Sequence, residues 1–185
     1  MNTARPELKV AVVMRRERIT GAMSRWQSWR WLPLEVLADE GAFGEMSRLL
    51  YKDDNEERWL HPGYSVELFG DDAEGYYLNA SADAPCWFVL WRMDEPTDAA
   101  VEVLARPVMV SLSYADAARW LDAQESVEQL AAPPEVVDWL RAFVAEHPVN
   151  EPKRRRRPQS FRPLNDRFSE PSGPDANKIP GDSHG

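Results

Sequence analysis

Apolar and polar positions alternate with a period of two through most of residues 7–113 and then change to a helical period. The first run, "ELKVAVVMRRERI" (Glu7–Ile19), is rich in β-branched residues. It predicts a strand with Val10, Val12 and Met14 on one side and Ala11 and Val13 on the other, both faces being partly covered. "SWRWLPLEVL" (Ser28–Leu37) predicts a second strand. Its alternation sets Trp29, Trp31 and Leu37 on one face and Leu32, Leu34 and Val36 on the other. Pro33 lacks an N–H to donate, so an edge position or a bulge is expected there. Further strand-length runs follow: "MSRLLYK" (46–52), "RWLHPGYSVELF" (58–69), with a turn at Pro62-Gly63, and "YYLNAS" (76–81). "CWFVLWRM" (86–93) reads as a central strand, and "VEVLARPVMVSLS" (101–113) as a long last one with a bulge at Pro107. No crossover helices separate these runs, so antiparallel pairing in a meander or partly closed barrel is expected.

Beyond residue 113 the spacing is helical. Ser113 is a candidate N-cap for "YADAARWLDAQ", where Ala117, Trp120 and Leu121 recur at helical intervals. "PPEVVDWLRAFVAEH" (133–147) starts with prolines suited to a first turn. Its Val136, Leu140 and Phe143 stripe has Val137 and Val144 beside it. From residue 150 on the chain is basic, then proline-rich, without apolar periodicity, which predicts a disordered tail. The expected fold is α+β: one domain over residues 7–149, with an antiparallel sheet or partial barrel of about six or seven strands. Two helices follow, near 114–123 and 133–147, and then a tail over 150–185.

Composition narrows the picture. The chain has 185 residues, 43% of them hydrophobic and 29% charged, enough to bury a core. No stretch approaches the roughly 18 apolar residues of a membrane-spanning helix, and "MNTARPELKV" lacks the apolar segment of a secretory leader. Cys86 is the single cysteine, so no disulfide framework exists within the chain. A cytoplasmic location is the expectation. The net charge is −9, with 22 Lys/Arg against 31 Asp/Glu. Residues 150–185 hold eight basic and five acidic side chains, so the body carries the acidic excess. An acidic body repels phosphate backbones, which disfavours nucleic acid as its partner.

Candidate chemistry centres on "RWQSWRW" (25–31), with Arg25, Trp26, Trp29, Arg30 and Trp31, and on Arg58-Trp59. The plainest reading is a strand whose indoles pack in a core. Trp and Arg are also enriched in interface hot spots, and a partner-binding patch is the functional reading. A base-stacking site would need a basic groove around its aromatics. "KRRRR" (Lys153, Arg154, Arg155, Arg156, Arg157) could meet nucleic acid, anionic lipid or an acidic protein, or only solvate a tail. His61, His147 and His184 are too scattered for a metal centre. The clusters "DDNEE" and "DDAEG" lack the calcium-loop pattern and read as solvated turns. Glu35, Glu67 and Glu74 are the acids beside strand-like apolar residues. No phosphate-cradling glycine motif and no nucleophile elbow is present, so no catalytic residue is assigned.

The ordered strings "KVAVVMRR", "RWQS", "RLLY", "RWLHPGY", "VELF", "EGYYLN", "WRM", "VSLSYADAARWLDA" and "PPEVVDWLRAFVAEH" resemble a bacterial family of uncharacterised proteins, domain of unknown function family 3305. The resemblance covers roughly residues 8–157. It implies a small cytoplasmic protein encoded among genes for molybdenum-dependent formate dehydrogenase and its assembly. A formate dehydrogenase subunit, or one of its assembly factors, is then the implied partner, met through Trp26, Trp29, Trp31, Trp59, Arg25, Arg30 and Arg58. Some members bear the label molybdopterin-guanine dinucleotide biosynthesis protein A, which implies a guanine nucleotide on a glycine-rich loop. Here "RRERIT" follows "VAVVM", with no glycine before Gly21, and arginines obstruct the close backbone approach such a loop provides. On the alternative of handling the molybdopterin guanine dinucleotide cofactor, Arg15, Arg16 and Arg18 would face its pyrophosphate.

Overall fold

The computed structural model describes residues 5–97 and 103–149. The tail, with Lys153 to Arg157, lies outside the described residues. Among the described residues seven strands form two antiparallel sheets, where the sequence predicts one sheet or partial barrel. The first sheet holds β1 (Glu7–Arg18), β2 (Trp29–Ala38), β3 (Arg48–Lys52) and β4 (Glu56–Glu67), in the order β2-β1-β4-β3. The second holds β5 (Cys86–Met93), β6 (Ala105–Ser111) and β7 (Ser126–Ala131), in the order β6-β5-β7. The helices are α1 (Ala73–Ala80), α2 (Tyr114–Asp122) and α3 (Pro134–Glu146). Among the described residues no helix is long and apolar enough to cross a membrane.

The main core lies where the sheets and helices meet. Val10, Val12 and Met14 of β1 pack with Trp87 and Val89 of β5, Tyr76 of α1, and Val136, Leu140 and Phe143 of α3. The reverse face of the first sheet buries Ala11, Val13 and Leu60 with Leu34, Leu37 and Phe43. The two-faced reading of β1 therefore holds. The reverse face of the second sheet buries Cys86, Phe88 and Ala117 with Trp120 and Val127. Cys86 serves there as a small apolar side chain, and burial raises its thiol pKa.

Two bulges alter the expected faces. The β1–β2 register passes from Val13 opposite Glu35 to Met14 opposite Pro33, so Leu34 is the extra residue. Val36 then joins Trp31 in the main core, while Leu34 and Leu37 share the reverse cluster. Pro62-Gly63 is also a bulge, and not the predicted turn. Val10 pairs with Tyr64 and Val12 with His61, so both flanks stay on β1 and β4 runs through. Gly63 takes φ of 92°, a conformation open to glycine at little cost. The bulge expected at Pro107 is present, with Trp91 opposite Pro107 and Leu90 opposite Met109.

Two elements differ outright. "YYLNAS" belongs to helix α1, entered through a short 3₁₀ turn at Gly70–Asp72. Ala73, Tyr76 and Ala80 point inward at helical spacing, and Asp71, Asp72 and Glu74 lie in the opening turns, where carboxylates suit a helix N-terminus. Strand β7 had no counterpart in the sequence reading. The predicted helices stand, and Ser113 caps α2 by accepting from the N–H groups of Ala115 (3.1 Å) and Asp116 (3.4 Å).

Candidate functional site

Strand alternation carries the core face of β1 past Met14 to Arg16 and Arg18. Opposite them on β2 stand Trp31 and Trp29, and opposite Arg16 on β4 stands Glu57. The Arg16 guanidinium lies over the Trp29 ring at 4.7 Å and the Trp31 ring at 5.9 Å, and Arg18 lies over Trp29 at 5.2 Å. These are cation–π distances. Glu57 sits beneath, buried, 3.6 Å from Arg16 Nη1 and 2.8 Å from Lys52 Nζ. It also accepts from Trp59 Nε1 at 3.3 Å. Burial alone would push the Glu57 carboxyl pKa up. The hydrogen bonds from Lys52 and Trp59 and the charges of Lys52 and Arg16 outweigh it and hold the pKa below its ordinary value.

Glu57 thus departs from the solvated-turn reading of "DDNEE", while Asp53 fits it, accepting from the Asn55 and Glu56 N–H groups. Of the acids singled out beside apolar runs, Glu35 and Glu74 are exposed and Glu67 is half-buried. A signal was available in the sequence: Glu57, Trp59 and His61 fall at period two, on one face of β4. His61 is buried, its Nδ1 3.0 Å from Ser47 Oγ, and burial followed by the nearby Arg106 charge lowers its pKa.

Above this layer an open cleft of about 420 Å³ lies between the sheets. Arg16, Gln27, Trp29, Arg30 and Trp31 line it from one side, and Trp91, Met93 and Val103 from the other. Arg16, Trp29, Arg30 and Trp31 are among the residues singled out from the sequence, whereas Trp91, Met93 and Val103 are not, because β5 reads as wholly internal while its end runs out of the core. Trp26, which precedes the cleft residue Gln27 in the chain, is 87% exposed, and Met23 65%. Met23 lies in a 3₁₀ turn, Ala22–Arg25, which follows Gly21 (φ 86°), and Trp26 caps the end of that turn. Ser24 Oγ donates to the Gly21 carbonyl at 2.6 Å, and Trp26 N–H donates to the Met23 carbonyl at 3.1 Å.

The remaining predicted residues are dispersed. Arg25 is exposed at the end of the 3₁₀ turn. Arg30 lines the cleft and also pairs with Glu17. Arg15 lies on the reverse face, 3.0 Å from Glu17, apart from Arg16 and Arg18. Arg58 lies opposite Arg15, over the Tyr51 ring at 5.5 Å. Trp59 joins the Glu57 layer instead of the cleft.

Chemically, the cleft presents indole, thioether and guanidinium surface. The chain's own arginines already lie over Trp29, and a stacking base would have to displace them from the face they cover. Among the described residues no group of three or more His, Cys, Asp or Glu side chains is placed to hold a metal ion. A family model described as protein of unknown function (DUF3305) matches residues 9–157. No curated protein and no solved structure matches the chain.

Proposed function

The chain belongs to the DUF3305 family, and from that premise we propose that it is a non-catalytic accessory protein whose cleft and adjoining turn dock a protein partner. The family resemblance supplies the client: a molybdenum-dependent formate dehydrogenase, helped in maturation or assembly. The observation that carries the reading is Trp26, 87% exposed on a turn held by its own hydrogen bonds. A large indole left in water gives up transfer free energy that a partner's pocket would recover. A turn already ordered loses little conformational entropy on binding. The mixture of Trp, Met and Arg around it is hot-spot composition.

The test is titration of purified formate dehydrogenase subunits with the wild-type chain and with Trp26→Ala. Trp26 makes no core contact, so the variant is expected to keep its unfolding midpoint while binding weakens by a hot-spot margin of about 2 kcal/mol, roughly thirtyfold. Deletion of the gene is expected to lower formate dehydrogenase activity and its molybdenum content. Equal affinity of both proteins, or unchanged enzyme in the deletion strain, counts against the reading.

A second reading, handling of the molybdopterin guanine dinucleotide, draws on Arg16 and Arg18 sharing one face. Thermal shift with GTP and magnesium, and with molybdopterin nucleotides, tests it. Ligand at about 100 times its Kd should stabilise the fold by roughly 2.7 kcal/mol. Absence of a shift removes this reading. Nucleic-acid binding through Lys153–Arg157 ranks below both, and predicts affinity that falls steeply with salt.

A further inference from the structure

Strand β3 lies at the end of its sheet, and no described strand pairs with its outer edge. All five residues are exposed, including Leu49 at 42%, Leu50 at 49% and Tyr51 at 47%. Three consecutive large apolar residues on an open edge make a template for strand addition, which proteins ordinarily blunt. Here the guards are two flanking cations and a bulge. The register passes from Leu49 opposite Trp59 to Tyr51 opposite Arg58, so Leu50 is the extra residue. As a result Arg48 and Tyr51 share one face and Leu49 and Lys52 the other: each face of the edge offers one cation and one apolar side chain. Arg48 donates to a neutral group, the Phe43 carbonyl, and so keeps its charge for an incoming carboxylate. The Lys52 ammonium bonds Glu57 while its side chain stays 61% exposed.

We propose that β3 is a strand-addition site for an extended segment of another protein in which acidic residues flank a short apolar centre. The backbone ladder would supply affinity, and the two flanking cations the selection. A second copy of this chain is disfavoured by the same charges. Antiparallel self-pairing about Leu50 sets Arg48 opposite Lys52 twice, and parallel pairing sets Arg48 beside Arg48; like charges across a ladder destabilise it. The site is separate from the Trp26 turn and stands on its own observations.

The experiment is selection of a random peptide display library on the purified full-length chain, followed by amide hydrogen exchange with an enriched peptide. Enriched peptides should carry Asp or Glu on both sides of an apolar centre and should slow exchange in residues 48–52. Their affinity should fall with salt, and by at least about tenfold in Leu50→Asp, a change at an exposed position that removes the apolar contact and repels the flanking acids. Trp26→Ala should bind these peptides as the wild type does, so loss of formate dehydrogenase binding in that variant and loss of peptide binding in Leu50→Asp are read separately. Enrichment of neutral or basic sequences, protection at another edge, undiminished binding by Leu50→Asp, or β3 protection that instead follows dimerisation of the chain would each overturn the proposal.

Discussion

Asn79 ties backbone groups of two residues, Cys86 and Leu112, that lie apart in the chain. Its buried amide donates to the Cys86 and Leu112 carbonyls, both at 2.8 Å, and accepts from the Cys86 N–H at 3.0 Å. An unsatisfied buried group costs about 1–3 kcal/mol. Asn79→Ala is therefore expected to lose roughly 3–6 kcal/mol, read as a fall in urea midpoint, and Asn79→Asp is expected to fail as well, since a carboxylate cannot donate to two carbonyls. Nothing in "YYLN" announces this role: a polar residue buried against distant backbone has no period of its own. His61 carries a pH signature. Its native pKa lies below the unfolded value of about 6.5, so on acidification the unfolded chain takes up the proton first. Unfolding free energy should drop as pH falls from about 6.5 toward the native pKa, because the unfolded state binds more protons in that window. Arg106 reinforces burial here and Asp94 opposes it. Urea unfolding at about pH 7.5 and 5.5 should show a smaller loss for His61→Gln than for the wild type.

At the scale of elements, the failures of sequence reading have physical causes. Tyr76 and Tyr77 favour strands by propensity, yet tertiary packing makes α1 a helix, with Tyr76 edge-on to Phe143 of α3 at 5.7 Å. In β7, Val127 and Leu130 are three residues apart and so point to opposite faces, one into each cluster, which hides the period of two. Bulges at Leu34 and Pro62-Gly63 shift faces by one residue without changing composition. What was legible was β1, the central place of β5, and the α3 stripe, each a long apolar run with one period. The Trp–Arg segment was legible as a strand start, whereas its partners across the cleft depend on which sheet edges meet. Gly75 of α1 illustrates the packing between helices. An alanine in a helix ordinarily gains up to about 1 kcal/mol over glycine. A Cβ at Gly75 would stand 2.3 Å from the Ser113 Oγ that caps α2 and 3.2 Å from the Ala115 nitrogen. Gly75→Ala is expected to destabilise by about 1–3 kcal/mol, and to cost less in a Ser113→Ala background, measured as a double-mutant cycle by thermal unfolding.

For the molecule as a whole, the two sheets come from separate, unbroken stretches of sequence. Residues 7–67 build the first and residues 86–131 the second, with β2 lying beside β7 and β4 beside β6. Among the described residues every ladder hydrogen bond stays within one stretch, and what joins them is side-chain packing around Val12, Trp87 and Leu140, a hydrogen bond from the Tyr64 hydroxyl to the Pro107 carbonyl (2.8 Å), and α1 with its Asn79 clasp. The connection at 81–84 is exposed. A polypeptide severed between Ala82 and Asp83 keeps each ladder whole on its own piece, so the two halves, co-expressed, are expected to find one another and co-purify. Substituting Asn79 in the first piece should abolish that reunion, which turns a single amide into a reporter of whether the halves have met.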